Sequence, residues 1–140
     1  MISHVVVDSS VAIKWIVEEE DSDSARLLAQ ATLEAPDLLL TECANILWKK
    51  ATMADLSRRD VGDCWQLLLQ APILLTPSPD LLDAALRISL DLGHPIYDCV
   101  FLALALLKRV PLITADKKLV AAVRRKKIPG IRAQLLSSVP

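Results

Sequence analysis

Glycine is scarce in this chain, and its scarcity excludes several kinds of ligand site. The 140 residues contain three glycines, Gly62, Gly93 and Gly130, and each is isolated from the others. Phosphate-binding loops and dinucleotide-binding turns need several glycines close together, because only glycine lets the backbone approach a phosphate closely. The chain therefore has neither a P-loop nor a dinucleotide fingerprint.

Cysteine and histidine are also few, which restricts metal sites and acid–base chemistry. Cys43, Cys64 and Cys99 lie far apart among apolar residues, a pattern typical of reduced core thiols rather than of disulfides or a zinc site. His4 begins a predicted strand and His94 lies in a predicted turn, so the two are not spaced for a two-histidine nuclease. Any catalysis must therefore depend on carboxylates.

No apolar run is long enough to cross a bilayer. The longest run, residues 99–107, is much shorter than the roughly 20 residues that a membrane helix needs. No basic leader precedes the first predicted strand, and the composition, 53% hydrophobic and 24% charged, is typical of a folded domain. We expect a single domain over residues 1–140, located in the cytoplasm and not in a membrane.

Short apolar runs alternate with segments of helical periodicity, which predicts the fold class. Strands are predicted at residues 4–7, 38–40, 73–75 and 110–113. Helices are predicted at residues 9–17, 22–33, 41–54, 57–70 and 79–92, then from Asp98 and again from Lys117, with Thr41 and Ser57 as N-caps. This alternation predicts an α/β fold in which helices cover both faces of a parallel sheet.

Acidic residues follow three of the predicted strands. Asp8 and Asp116 come directly after apolar strands, and Glu42 follows residues 38–40 by two positions. Ligands of open α/β sheets bind outside the carboxyl ends of the strands, so we expect these three acids at one edge. Asp98 begins a helix that runs antiparallel to the strands, and topology alone leaves its edge undecided.

A cluster of four carboxylates predicts a divalent metal site. Any one of the four acids is explained equally well as a helix cap. Together they would repel one another and raise one another's pKa unless a cation with oxygen ligands neutralised them. Mg²⁺ meets this need and Mn²⁺ is an alternative. Such a site activates water for an in-line attack on a phosphodiester, so nucleic-acid hydrolysis is the natural chemistry.

Four segments carry these acids: VVVDSSVAIKW around Asp8, LLLTECANILWK around Glu42, PIYDCVFLALA around Asp98 and LITADKKL around Asp116. In this order, over essentially the whole chain, they resemble the PIN-domain ribonucleases and specifically the VapC-type toxins of type II toxin–antitoxin systems. The resemblance implies a PIN-like fold with four or five short parallel strands. It also implies that all four acids gather around Mg²⁺ or Mn²⁺, and that the protein cleaves RNA endonucleolytically.

The same resemblance implies two protein partners. VapC-like proteins usually form homodimers and hold a helix of a VapB-type antitoxin in an apolar groove. We expect this groove near the predicted helices at residues 41–54 and 57–70, which carry large apolar residues such as Trp48 and Trp65. The antitoxin is expected to block the acids with an Arg or another cation.

Polar and basic residues near the acids are candidates for supporting roles. The hydroxyls of Ser10 and Thr114 are predicted either to orient carboxylates or bound water, or simply to cap helices. Asn45 lies one helical turn beyond Glu42 and shares its face.

The net charge of −1 offers no global attraction to RNA, so an RNA footprint must be local. Lys117 and Lys118 precede Arg124 and Arg125 by seven residues, which stacks the pairs on one helix face. These residues either contact phosphates or complement the helix dipole.

Two other functions remain open. A receiver-type signalling domain needs an acidic pair after the first strand and a phospho-acceptor Asp after the third, where this chain has Asp8-Ser9-Ser10 and Thr76-Pro77-Ser78. A catalytically silent PIN-like scaffold that binds RNA or protein would differ from the nuclease by a displacement of about 1 Å at the site.

Overall fold

A five-stranded parallel sheet forms the centre of the computed structural model, which describes residues 3–139. The strands are β1 (His4–Val7), β2 (Thr32–Pro36), β3 (Ile73–Thr76), β4 (Leu112–Thr114) and β5 (Ala133–Leu135), in the order β3-β2-β1-β4-β5. Every pairing is parallel. The predicted α/β class and the parallel sheet are confirmed, with five strands.

Helices cover both faces of the sheet. They are α1 (Ser9–Ile16), α2 (Ser22–Leu28), α3 (Leu38–Thr52), α4 (Arg58–Gln70), α5 (Leu82–Leu92), α6 (Ile96–Lys108) and α7 (Lys117–Lys126). Side chains alternate along β1, so Val5 and Val7 pack with α1 and α2, whereas Val6 packs in the larger cluster with α3, α5, α6 and α7. Residues 99–105 of α6 are all buried, as the apolar composition of that segment predicts.

No single helix among the described residues is long and apolar enough to cross a membrane. The segments Ser78–Leu92 and Ile96–Lys108 reach that length only as a pair, and a 114° bend separates them.

The predicted strand at residues 38–40 is wrong. These residues form the first turn of α3, and the second strand is β2, part of which falls within the helix predicted to run to residue 33. The buried Glu34 interrupts the apolar pattern of β2, and it is tolerated there because His4 Nε2 lies 2.6 Å and Lys108 Nζ 3.6 Å from its carboxylate. These partners are distant in sequence, so the strand has no local signature.

The predicted N-cap at Thr41 is also wrong, because α3 begins at Leu38. The backbone N–H of Leu38 donates to Ser78 Oγ at 3.1 Å, and the Ser78 hydroxyl in turn donates to Asp37 Oδ1 at 2.6 Å. The first backbone N–H of the helix is therefore satisfied by a residue 40 positions away, and no local capping pattern predicts this hydrogen bond. As a result, Glu42 lies in the second turn of α3 rather than in the first.

The predicted start of α4 and the predicted end of α5 agree with the structure. Ser57 caps α4 in a reciprocal capping box with Asp60, and Gly93 ends α5 with φ +68°, a conformation that favours glycine. Helix α6 begins at Ile96, two residues before the predicted start, so Asp98 lies within its first turn.

The strand order defines where a ligand would bind. From the central β1 the chain moves outward through β2 and β3 on one side, and through β4 and β5 on the other. The crevice outside the carboxyl ends of β1 and β4 is therefore the topological switch point of the sheet, where ligands of open α/β sheets bind.

Candidate active site at the carboxyl end of the sheet

Asp8 lies at the centre of this crevice. It follows β1 directly, is 6% exposed, and occupies the N-cap position of α1 without making a side-chain capping hydrogen bond. The Ser10 hydroxyl donates to Asp8 Oδ1 at 2.5 Å. Asp8 is therefore the N-cap residue of α1 by its backbone, and its carboxylate accepts from a neighbouring hydroxyl.

Ser10 also joins the ends of β1 and β4. Its Oγ accepts a hydrogen bond from the backbone N–H of Ala115 at 2.9 Å and lies 3.4 Å from Thr114 Oγ1. Thr114 is fully buried, and its hydroxyl accepts from the N–H of Asp116 at 3.0 Å. Both hydroxyls thus lie between the acids that follow the two central strands, and Ser10 donates directly to the Asp8 carboxylate.

Glu42 and Asp98 approach Asp8 from two helices. Ser9 Oγ donates to Glu42 Oε1 at 3.2 Å, which connects α1 to α3. Asp98, in the first turn of α6, has its Oδ2 2.6 Å from His94 Nε2. Both side chains are partly exposed, so the cluster opens to solvent on their side.

Asp116 has a different local role. Its Oδ1 accepts hydrogen bonds from the backbone N–H groups of Lys118, at 2.9 Å, and Leu119, at 3.2 Å, and so caps α7. For this acid the helix-cap explanation is confirmed.

The pKa values show which acids interact strongly. Burial raises the pKa of Asp8 to about 6, with a further increase from the charge of Asp98, and the hydroxyls of Ser10 and Thr114 oppose this rise. Burial also raises the pKa of Glu42 to about 7, again with contributions from Asp98 and Asp8. The structure therefore brings three of the four predicted acids into one repelling cluster. Asp116 is not among the charges that shift these two pKa values.

The chemistry of this cluster suits a hard divalent cation. Within residues 3–139, no three Asp, Glu, His or Cys side chains are arranged closely enough to form a ready-made metal cage. The donor set nevertheless consists of carboxylate oxygens. Burial, together with the charge of Asp98, makes the ionised forms of Asp8 and Glu42 costly, and a bound cation would offset that cost. Oxygen donors of this kind fit Mg²⁺ or Mn²⁺ and not a thiolate-bound metal.

The remaining predicted residues lie around the cluster. Asn45 is exposed on α3, one turn beyond Glu42. All four basic candidates are exposed on α7, with Lys117 and Lys118 in its first turn, beside Asp116, and Arg124 and Arg125 in its last turn. The structure therefore places only the first basic pair close to the acids.

His94 is the site residue that the sequence reasoning missed. Its position just before the start of α6, four residues ahead of Asp98, was an available signal. His4 instead pairs with Glu34, in β2.

An apolar cleft of about 340 Å³ lies on the α1 side of the sheet. Its lining includes Trp15, Arg26, Leu33, Leu67 and Pro72. Leu67, on α4, is 54% exposed. This cleft borders α4, α1 and α2. A smaller apolar cleft, of about 70 Å³ and lined in part by Leu39, Leu40, Leu68 and Leu69, lies between α3 and α4, the helices near which the groove is expected.

Known proteins resemble this chain in sequence and in fold. A family model described as PIN domain matches residues 5–125. A curated relative, Ribonuclease VapC3 from Pyrobaculum aerophilum, is 29% identical over 119 residues, which cover 82% of this chain and 91% of the relative.

Solved structures share the fold at lower sequence identity. PAE2754 from Pyrobaculum aerophilum has a TM-score of 0.67 at 22% identity, covering 94% of this chain and 83% of that one. VapBC2 from Rickettsia felis, bound to a promoter DNA fragment, has a TM-score of 0.63 at 13% identity, covering 94% and 98%. A toxin–antitoxin complex from Klebsiella pneumoniae has a TM-score of 0.64 at 15% identity, covering 96% and 99%.

The raised pKa values predict an unusual pH dependence of stability for the metal-free protein. Asp8 keeps its proton in the folded state up to a pH of about 6, whereas its ordinary pKa is 3.8. Unfolding therefore releases protons in this range, and the free energy of unfolding should fall as the pH rises from about 4 to about 7. For Asp8 the loss should be about 2–3 kcal/mol, at about 1.4 kcal/mol per unit of pKa.

Urea unfolding in EDTA between about pH 4 and pH 8 measures this slope. Asp8→Asn removes the charge but keeps an oxygen that can accept from Ser10, so it should remove the part of the slope that comes from Asp8 and leave the part that comes from Glu42. Asp91→Asn, an exposed change on α5, should leave it intact. A wild-type stability that rises over this interval would contradict the burial of a strained carboxylate.

Proposed function

We propose that this chain, which belongs to the PIN-domain family, is a metal-dependent endoribonuclease that acts as the toxin of a toxin–antitoxin pair in the cytoplasm. The family match and the ribonuclease relative support the nuclease activity. The observation that carries the proposal is the crowding of Asp8, Glu42 and Asp98 outside the carboxyl ends of the central strands, with two pKa values raised.

In this proposal Mg²⁺ or Mn²⁺ would be held by four carboxylates: Asp8, Glu42, Asp98 and Asp116. When bound, the cation supplies Lewis-acid chemistry: it lowers the pKa of a water and stabilises charge on the attacking and leaving oxygens. Asp8 is the most buried of the four acids, so we assign it to binding the cation. Glu42 is more open, and the oxygen that does not accept from Ser9, Oε2, is the atom we assign to take the proton of the attacking water.

RNA cleavage is the direct test of this proposal. Purified protein is incubated with pooled cellular RNA in Mg²⁺ and in EDTA, and the Asp98→Asn variant is incubated in Mg²⁺. Discrete new RNA ends are expected for wild type with metal, and none in the other two reactions. The loss in Asp98→Asn should exceed the roughly 100-fold that removal of an outer partner of a metal ligand costs.

The folded state of the variant serves as the control. Because Asp98 raises the pKa of both Asp8 and Glu42, Asp98→Asn in EDTA should be at least as stable as wild type. Identical RNA in all three reactions, from a folded protein that binds metal, would favour the catalytically silent PIN-like scaffold.

The RNA strand is expected to cross the first turn of α7. Lys117 and Lys118 directly follow Asp116 and are exposed, so their ammonium groups can contact phosphates beside the acids. The double variant Lys117→Ala/Lys118→Ala of the cleavage-inactive Asp98→Asn protein should bind single-stranded RNA more weakly. The double variant should also make the slope of log binding constant against log salt concentration smaller in magnitude by about 1.4, because each lost phosphate contact contributes about 0.7 to it.

Arg124→Ala/Arg125→Ala is the matched control, because it removes the same charge from the last turn of the same helix. It should leave the salt dependence close to that of the parent. Equal losses in both double variants would contradict an RNA path confined to the acidic end of α7.

The proposed antitoxin, of the VapB type, would dock at the 340 Å³ cleft around Leu67. The two solved VapBC and toxin–antitoxin structures with this fold support an antitoxin partner, and the cleft has room for the apolar side chains of a partner helix. We expect an Arg or Lys of that partner to reach the carboxylates and replace the charge of the cation. A purified complex that still cleaves RNA would contradict this mode of inhibition.

The proposed homodimer would form through α5. Leu82, Leu86 and Leu90 recur at four-residue spacing on one face of this helix and are 45%, 56% and 75% exposed, which leaves an apolar stripe in water. Leu86→Asp/Leu90→Asp should convert a dimer to a monomer in sedimentation velocity. Leu107→Asp, at an equally exposed leucine of α6, should remain dimeric. A double variant that still sediments as a dimer would place the interface elsewhere.

A further inference from the structure

His94 makes a close contact with one of the proposed metal ligands. Its Nε2 lies 2.6 Å from Asp98 Oδ2, and the side chains of His94 and Asp98 are 21% and 33% exposed. An ionised carboxylate can only accept a hydrogen bond, so the imidazole donates. The contact uses Oδ2 and leaves Oδ1 available as a ligand.

The backbone around His94 is held in place from two helices. Gly93 ends α5 in the left-handed conformation, and the His94 N–H donates to the carbonyl of Ser89 at 3.3 Å. The His94 carbonyl accepts from Ser89 Oγ at 2.5 Å and lies 3.8 Å from Cys99 Sγ. The turn that carries the imidazole is thus tied to both α5 and α6, and the ring is presented to Asp98 from a fixed backbone.

We propose that His94 is a positioning residue for the metal site, which orients the Asp98 carboxylate toward Asp8 and Glu42 by donating a hydrogen bond to Oδ2. The inference rests on the proposed function, because it takes Asp98 to be a metal ligand. A partly exposed aspartate on the first turn of a helix has several accessible rotamers, and fixing one of them before the cation arrives lowers the entropy lost on binding.

A purely structural role is the alternative, in which the pair only steadies the start of α6. The chain contains a matched pair that separates the two explanations: His4 Nε2 also lies 2.6 Å from a carboxylate oxygen, that of Glu34, but at the amino end of β1. Loss of His4 therefore removes a similar histidine–carboxylate contact at the opposite edge of the sheet from the acids.

The test measures Mn²⁺ binding by titration calorimetry, without RNA and independently of cleavage. His94→Leu fills a similar volume but cannot donate, and it should weaken binding by about tenfold or more, the effect typical of losing an outer partner of a ligand. His94→Gln places an N–H donor near the position of Nε2 and should restore binding to within about threefold of wild type. His4→Ala should leave the Mn²⁺ affinity unchanged, even where it lowers the unfolding temperature.

Each outcome decides the role of His94. Wild-type affinity in His94→Leu, or equal losses in His94→Leu and His94→Gln, would overturn the proposal, since donation would then not matter. Weaker binding in His94→Leu with rescue in His94→Gln would support it, even if the protein proves not to cleave RNA. A wild-type protein that binds no Mn²⁺ would overturn both this inference and the proposed metal site.

A measurement on the wild-type protein keeps the inference testable if His94→Leu does not fold. Nitrogen-15 NMR of the imidazole should show His94 with a proton on Nε2, both without metal and after Mg²⁺ is added. A neutral ring that carries its proton on Nδ1 alone would overturn the proposal.

Discussion

The burial of the Asp8 carboxylate at the end of the central strand is the constraint on which the rest of the site depends. A carboxylate that is 6% exposed and lies near two others is costly to ionise, and its pKa of about 6 expresses that cost. The fold reduces the cost with hydroxyls rather than with a basic residue. Ser10 donates to Asp8 and accepts from the chain beyond β4, so the same side chain that supports the acid also joins the two strands at the switch point.

All four acids follow this pattern, because each accepts hydrogen bonds from the protein itself. Ser10 holds Asp8, Ser9 holds Glu42, His94 holds Asp98, and the first backbone N–H groups of α7 hold Asp116. These donors are uncharged, apart from any protonation of the imidazole. They restrain the carboxylates without neutralising them, and the charge thus remains available for a cation. Sites that bind cations commonly retain such a local electrostatic cost, which the rest of the fold offsets.

The errors of sequence reasoning lie where stability comes from distant partners. The second strand has no apolar pattern because Glu34 interrupts it. A charged residue is stable there because His4 and Lys108, on two other elements, compensate its charge. The predicted start of α3 was wrong because Ser78, which follows the neighbouring strand β3, satisfies the first N–H group of this helix. Where the stabilising partner is local, as for Ser57 with Asp60, the sequence alone located the helix start. Local hydrogen bonds leave local patterns, whereas tertiary ones do not.

The amino-acid sequence by itself determined the fold class, because the local periodicity of apolar residues distinguishes the strands from the amphipathic helices that alternate with them. It also restricted the candidate catalytic residues to carboxylates, because no glycine loop or histidine pair competes with them. Only the tertiary structure decided how those acids differ: Asp8, Glu42 and Asp98 share a repelling cluster, Asp116 caps α7, and His94 joins them through Asp98. Charge repulsion and burial depend on distances between elements that are far apart in sequence, and only packing sets those distances.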